Sequence, residues 1–277
     1  MIIENSKMLP LFANADLARY YPTCADISLA GEDYKVIRIT FFAKDLSSAL
    51  SDYIQVKEYD DSFLLIGIHT EDKALISECL EFVDGIKDNY GEIELRTPFI
   101  SVLDNEAVTK RYSLEAVEYP ASPIYYTHTR DELLPYAKMD GVSIALHTEE
   151  DKAEISRCVQ QGLLDSECMG EGMFTLTTNF KDVKWYILRV DGNIAGYLRA
   201  ECGYSNYYDI GWLYVEPKYR GNGYATALTL YFSHHIFDMG AIPHYGFAIC
   251  PESVRVAEKC GFKCDKTEIY CRALKKL

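Results

Sequence analysis

The sequence predicts a mixed α/β (α+β) protein built in two halves, and three observations carry that prediction. Short runs dense in branched and aromatic residues alternate with segments of helical spacing. Asp191-Gly192-Asn193 lies between two such runs and is a strong hairpin signal. Glu118-Tyr119-Pro120-Ala121-Ser122-Pro123 enforces an extended path that no helix survives, and it divides the chain.

In the first half, Lys35–Ala43 and Phe63–Ile68 read as strands. Lys73–Val83 places Leu75, Cys79, Leu80 and Val83 at helical intervals. Glu92–Arg96 and Ile100–Leu103 are expected as further strands. This half carries no recognisable catalytic pattern. A local similarity links His69–Cys79 with His147–Cys158, allowing one gap; a true repeat would mean two related folds joined in tandem.

In the second half, Val142–Leu146 is a short strand and Glu149–Gly162 a helix with acids in its first turn, where the dipole favours them. Trp185–Val190 and Ile194–Glu201 form the hairpin, and Tyr208–Val215 is a third strand stopped by Pro217. Asn222–Met239 is a helix with Ala225, Leu228, Phe232, Ile236 and Met239 on one stripe. A strand over Tyr245–Cys250, a helix over Ser253–Cys260 and a last strand around Thr267–Arg272 complete the order. The domains expected are 1–118, a linker over 119–139, and 140–277.

Composition narrows the function. With 42 acidic and 28 basic residues the chain carries a formal charge of −14, which argues against a nucleic-acid or anionic-membrane surface and mildly favours cationic substrates. No apolar run approaches the ~20 residues of a membrane span, and the first residues lack a leader pattern, so a cytoplasmic protein is expected. The nine cysteines are scattered without a C-x-x-C pair, so free thiols in a reducing compartment are expected and metal ligation is not.

The informative stretch is Val215-Glu216-Pro217-Lys218-Tyr219-Arg220-Gly221-Asn222-Gly223-Tyr224-Ala225. A strand ends, a glycine-rich turn follows, and a helix starts. The first N–H groups of a helix lack partners and face its positive end, so the turn suits a phosphate, and Arg220 adds a permanent cation. Neither a Walker loop nor a dinucleotide fingerprint is present.

These residues resemble the acetyl-CoA signature of the GNAT superfamily of N-acetyltransferases, Q/R-x-x-G-x-G/A, with Arg220, Gly223 and Ala225 at its defining positions. Cys250–Phe262 is similar to a second family element, N-x-x-S-x-x-x-x-x-K-x-G-F, and its S-x-R-V-x-E-K-C-G-F run is closest to the ribosomal-protein N-acetyltransferase branch. The resemblance covers about 140–277. It implies a mixed, mostly antiparallel sheet with two central parallel strands that splay apart. The first half is then an accessory α/β domain or a degenerate GNAT-like lobe.

The resemblance also implies acetyl-CoA as cofactor, the pantetheine arm along the backbone of Leu213, Tyr214 and Val215, and the pyrophosphate on Gly221, Asn222, Gly223, Tyr224 and Ala225 beside Arg220, with Ser253 both capping its helix and touching the cofactor. Two departures stand out: Cys250 replaces the usual asparagine, and Ala257 stands where a tyrosine often serves as general acid.

The acceptor would be a primary amine of a small molecule or peptide; a protein N-terminus, polyamine or amino acid would each fit. Period-two alternation puts Asp209 in phase with Gly211, Leu213 and Val215, which makes it a candidate base. Glu201 on the neighbouring strand is a second candidate carboxylate. Cys250, Ser253, Tyr245 and Tyr270 are the candidate acids. His234 and His235 face different directions on one helix, and His244, just before a strand, is expected to be structural. The rival reading is a non-catalytic coenzyme A-binding module acting as sensor or scaffold.

Overall fold

A computed structural model describes residues 1–4, 36–48, 52–59, 62–126, 129–164, 182–202, 207–248 and 250–275. They form two compact units, 1–124 with 264–277, and 125–263. This division differs from the expected one: the last residues belong with the first unit, and the proline segment lies inside a strand. Two prolines suit an extended strand as well as a linker, since both fix the same backbone region.

The first unit orders its strands as β1 (Ile2–Glu4), β2 (Val36–Phe42), β3 (Tyr53–Tyr59), β4 (Phe63–His69), β5 (Glu92–Thr97) and, from the far end of the chain, β12 (Lys263–Lys275). β6 (Tyr112–Tyr126) follows β12 in that order and carries the chain out of the unit. From β1 to β5 and on to β12 pairing is antiparallel except that β4 and β5 run parallel, in register from Phe63↔Glu92 to Gly67↔Arg96. Helix α1 (Lys73–Asp84) joins that parallel pair. Its buried stripe of Leu75, Ile76, Cys79, Leu80 and Val83 packs on Ile54, Val56, Ile66 and Leu95. Ile100–Leu103 is a one-turn helix, α2, and not the expected strand; α3 (Glu106–Arg111) follows, capped by Asn105. Asn105 ends the apolar run before a strand can gain length, and Val102 and Val108 face the core from the two turns.

The second unit orders β7 (Val142–Leu146), β8 (Asp182–Val190), β9 (Asn193–Cys202), β10 (Tyr207–Val215) and β11 (Ile242–Phe247) side by side. The hairpin turns on Asp191 and Gly192, both at positive φ, as a two-residue turn between twisted strands requires. Helix α4 (Glu149–Gln160) brings Ile155 against Trp185, Ile187, Tyr197 and Tyr214 on one face. Helix α5 (Tyr224–Asp238) brings Leu228, Phe232 and Ile236 against Tyr186, Leu188, Leu198 and Tyr208 on the other. Helix α6 (Pro251–Cys260) packs Ala257 and Cys260 with Leu133, Tyr245 and Phe262. Apart from the β10–β11 pair the strands are antiparallel. Each unit thus runs four antiparallel strands, a crossover helix and a parallel strand.

No helix among the described residues is long and apolar enough to cross a membrane. The described cysteines are free thiols, and no group of potential metal ligands occurs among the described residues.

Candidate active site

The site is made by a pair of strands that stop being a pair. β10 and β11 are in parallel register only over Tyr207↔Ile242, Tyr208↔Pro243 and Asp209↔His244, although both strands continue. A bulge in β10 sits just beyond, where its register with β9 shifts between Ile210 and Trp212. Bulges bend a strand and stop local pairing, which turns β10 away from its neighbour.

The gap opens into a cavity of about 620 Å³. Ile210 to Val215 form one wall, the start of α5 closes the end, and α6 contributes Ser253, Arg255, Val256 and Lys259. Of the residues expected to hold a cofactor, Leu213, Tyr214, Val215, Arg220, Gly221, Gly223, Tyr224, Ala225 and Ser253 all line it. Asn222 does not: its side chain donates to the carbonyls of Tyr219 and Arg220 at 3.1 and 3.3 Å and so braces the turn.

Gly221 and Gly223 adopt φ of +84° and +81°, which L side chains rarely take, and a Cβ on either would point into open space. Gly223 is the N-cap of α5, and no side chain caps that helix. The first backbone bond runs from Ala227 N–H to the Gly223 carbonyl, so the preceding N–H groups have no partner in the helix. Arg220 donates through Nε to the Val215 carbonyl at 2.8 Å and lies 5.6 Å from the Tyr214 ring, which fixes the guanidinium beside the helix end. A bare helix terminus, a permanent cation and an open glycine cradle suit a diphosphate. The residues present therefore fit a nucleotide-bearing cofactor.

A row of charged and polar groups crosses the sheet where the strands part. Asp209 is the register partner of Glu201 on β9 and of His244 on β11, so all three share one sheet face. That face is opposite the one on which Tyr208 meets α5. Neither carboxylate lines the cavity; each adjoins residues that do. Glu201 is buried and ion-paired with Arg199, and its carboxylate lies over Gly211, where a Cβ would come within 2.7 Å. Asp209 accepts a hydrogen bond from His244 Nδ1 at 3.0 Å and keeps a third of its side chain exposed. Of the two, Asp209 is the carboxylate left open to an incoming group.

The Tyr245 hydroxyl pairs with Ser253 Oγ at 3.1 Å on the cavity wall, and burial raises its pKa, so it stays protonated. Ser253 does not cap its helix as expected. α6 starts earlier, at Pro251, with Cys250 as N-cap, because proline is well suited to a first helical turn. Ala257 is fully buried in the core.

Arg255 and Lys259 belong to the second sequence element, yet sequence reasoning gave them no part in the site; they add cations to the cavity wall. Glu252, Arg255, Val256 and Lys259 recur at helical spacing and could have been found as one face. Trp212, half exposed on the bulged strand, was also missed, because the bulge breaks the alternation by which strand faces are assigned.

The fold and this site define a mixed α/β domain with a cleft between two parted strands, lined by groups that suit an anion. Residues 145–262 match the model of the acetyltransferase (GNAT) family, and that match does not single out the ribosomal-protein branch. Among solved structures, a GCN5-related N-acetyltransferase from Sphaerobacter thermophilus is 12% identical with a TM-score of 0.58, covering 100% of this chain and 96% of that one. A tandem GNAT protein from the clavulanic acid biosynthesis pathway is 13% identical with a TM-score of 0.56, covering 98% and 94%. A GCN5-related N-acetyltransferase from Kribbella flavida is 11% identical with a TM-score of 0.54, covering 80% and 87%. At these identities the likeness is one of fold. No curated protein matches the sequence.

Proposed function

We propose that this protein is an acetyl-CoA-dependent N-acetyltransferase acting on a primary amine of a small molecule or peptide. The observation that carries the reading is the cleft between β10 and β11, closed by the Arg220–Gly223 turn and the bare end of α5. Acetyl-CoA, when bound, supplies the activated acyl group as a thioester. Arg220 and the backbone of Gly221–Ala225 would hold its diphosphate, and the strand backbone from Leu213 to Val215 would hold its amide-bearing arm as an added strand does. Arg255 and Lys259 offset the acidity of the rest of the chain at the cleft.

The acceptor must reach the thioester as a neutral amine. Asp209, open on one side, would take its proton and attract a cationic acceptor, while Glu201 remains tied to Arg199. The Tyr245–Ser253 hydroxyl pair can offer a hydrogen bond to the departing sulfur, a role left open by Ala257. Free thiols among the described cysteines support a reducing, cytoplasmic setting.

Calorimetric titration with coenzyme A, paired with thiol release from acetyl-CoA over a panel of primary amines, tests the reading. Gly223→Glu puts an anion and a side chain into the cradle, so binding should be lost while the fold persists. Unchanged affinity in the folded variant would overturn the cofactor site. Wild-type binding without turnover on any amine would favour a sensor or scaffold.

A further inference from the structure

We infer that His244 is a positioning residue that holds Asp209 as a one-sided base; the inference rests on the reading of Asp209 as the proton acceptor. His244 is 1% exposed and lies on β11, the strand that leaves β10 directly after the pair Asp209↔His244. Its Nδ1 meets Asp209 Oδ1 at 3.0 Å. Its Nε2 is buried and has no hydrogen-bond partner among the described residues. A proton there would be an unanswered donor in a dry place, which is costly. The ring proton therefore belongs on Nδ1, where Asp209 accepts it.

Two further contacts hold the ring and the carboxylate. The Tyr207 ring meets the imidazole edge-on, with centroids 5.9 Å apart. Gly246, two residues along β11, has φ +64°, and a Cβ there would lie 2.5 Å from Asp209 Oδ1. The carboxylate thus occupies space that only glycine leaves free.

Among the described residues, Glu201 on β9 faces Asp209 across the register and is itself neutralised by Arg199. Oδ1 is committed to His244, and Oδ2 is left to receive the acceptor's proton. A carboxylate that offers one oxygen in one orientation meets the amine at a fixed angle, and misplacement by ~1 Å can cost ~100-fold in rate.

Three variants test this. His244→Phe keeps a ring and removes the donor; His244→Asn restores an N–H near the Nδ1 position; Asp209→Asn removes the base. Turnover in His244→Phe should fall by between ~10- and 100-fold with coenzyme A affinity unchanged. The loss should fall on kcat and leave the KM for the amine near wild type, because the base is still present and only its aim is lost. His244→Asn should recover most of the rate. A purely structural histidine would lower thermal stability in both variants with no recovery of rate in His244→Asn, and that result overturns the proposal. If Asp209→Asn abolishes turnover while His244→Asn is no faster than His244→Phe, the positioning role alone fails. If Asp209→Asn retains wild-type turnover, the base assignment fails, and the role of His244 falls with it.

Discussion

Two glycines leave the room in which the site carboxylates rest. Gly246 would bring a Cβ to 2.5 Å from Asp209 Oδ1, and Gly211 would bring one to 2.7 Å from the Glu201 carboxylate. Gly246 also sits at φ +64°, where an L residue costs ~1–2 kcal/mol. Gly246→Ala should therefore destabilise the protein by roughly 1–3 kcal/mol and displace the Asp209 carboxylate. We expect a melting temperature several degrees lower and at least a tenfold loss of turnover, with coenzyme A affinity retained, since Gly246 does not line the cavity. Calorimetry on the folded variant beside steady-state kinetics checks both parts, and wild-type turnover would show that the carboxylate can rest elsewhere. For Asp209→Asn, turnover should fall by ~10²–10⁴-fold and the acidic limb of the pH profile should disappear; an unaltered profile would remove Asp209 from the chemistry. Strand alternation drew attention to Asp209 in the sequence, but the bulge after Ile210 breaks the expected phase and puts Asp209 on the face opposite Leu213 and Val215. Its partner was not legible, because His244 meets it through a parallel register that no local spacing encodes.

Among the elements, those with their own punctuation were legible and those defined by a distant neighbour were not. Asp191-Gly192 specifies its turn through two positive φ values, and β8 and β9 follow from it. Ile100–Leu103 has strand-like composition, yet Asp104 and Asn105 cut it to one helical turn whose only buried residue is Val102. β3 gave no clear signal, since its buried residues include Gln55 and Lys57. Helix α4 combines both kinds of information. Thr148 and Asp151 form a capping box, and Arg189 on β8 donates to Asp151 at 2.7 Å and to Glu154 at 2.6 Å. Burial alone would raise the Asp151 pKa, but the bonds from Arg189 and Thr148 outweigh it and the pKa is lowered. A carboxyl depressed in the folded state adds stability above its unfolded pKa of ~3.9, and that stability is lost as pH falls through the lower folded value. Asp151→Asn should thus cost about 1 kcal/mol near neutral pH, with the difference from wild type shrinking below about pH 4. Denaturant melts at pH 7 and pH 3 measure it, and an equal difference at both would show that the carboxylate's charge contributes nothing.

At the scale of the whole molecule the two units repeat one element order but differ in what makes a site. β4, α1 and β5 in the first unit correspond to β10, α5 and β11 in the second. The local similarity between His69–Cys79 and His147–Cys158 is not that correspondence. It matches β4 and α1 with β7 and α4, which hold a different place in the order, so the repetition lay in the architecture and was hidden from spacing. In the second unit the parallel strands separate after Asp209↔His244 and the helix end is bare. In the first, β4 and β5 stay paired from Phe63↔Glu92 to Gly67↔Arg96, which leaves no gap for a cofactor arm. The end of α1 is filled as well: Asp72 accepts from the N–H groups of Ala74 and Leu75 at 2.8 and 3.0 Å, and Lys44 pairs with its carboxylate. A built-in anion occupies the position where a phosphate would bind, and a second anion would meet its repulsion. The intact chain should therefore bind one coenzyme A and not two. Titration should give a stoichiometry near one per chain, and Gly223→Glu should remove all of the heat, not half of it. A residual site of unchanged affinity in that variant would place a second cofactor in the first unit. Asp72→Ala, which opens the end of α1, should still gain no binding, because the strands beside it remain closed; a second site appearing there would make Asp72, and not the strand pairing, the element that keeps the first unit silent.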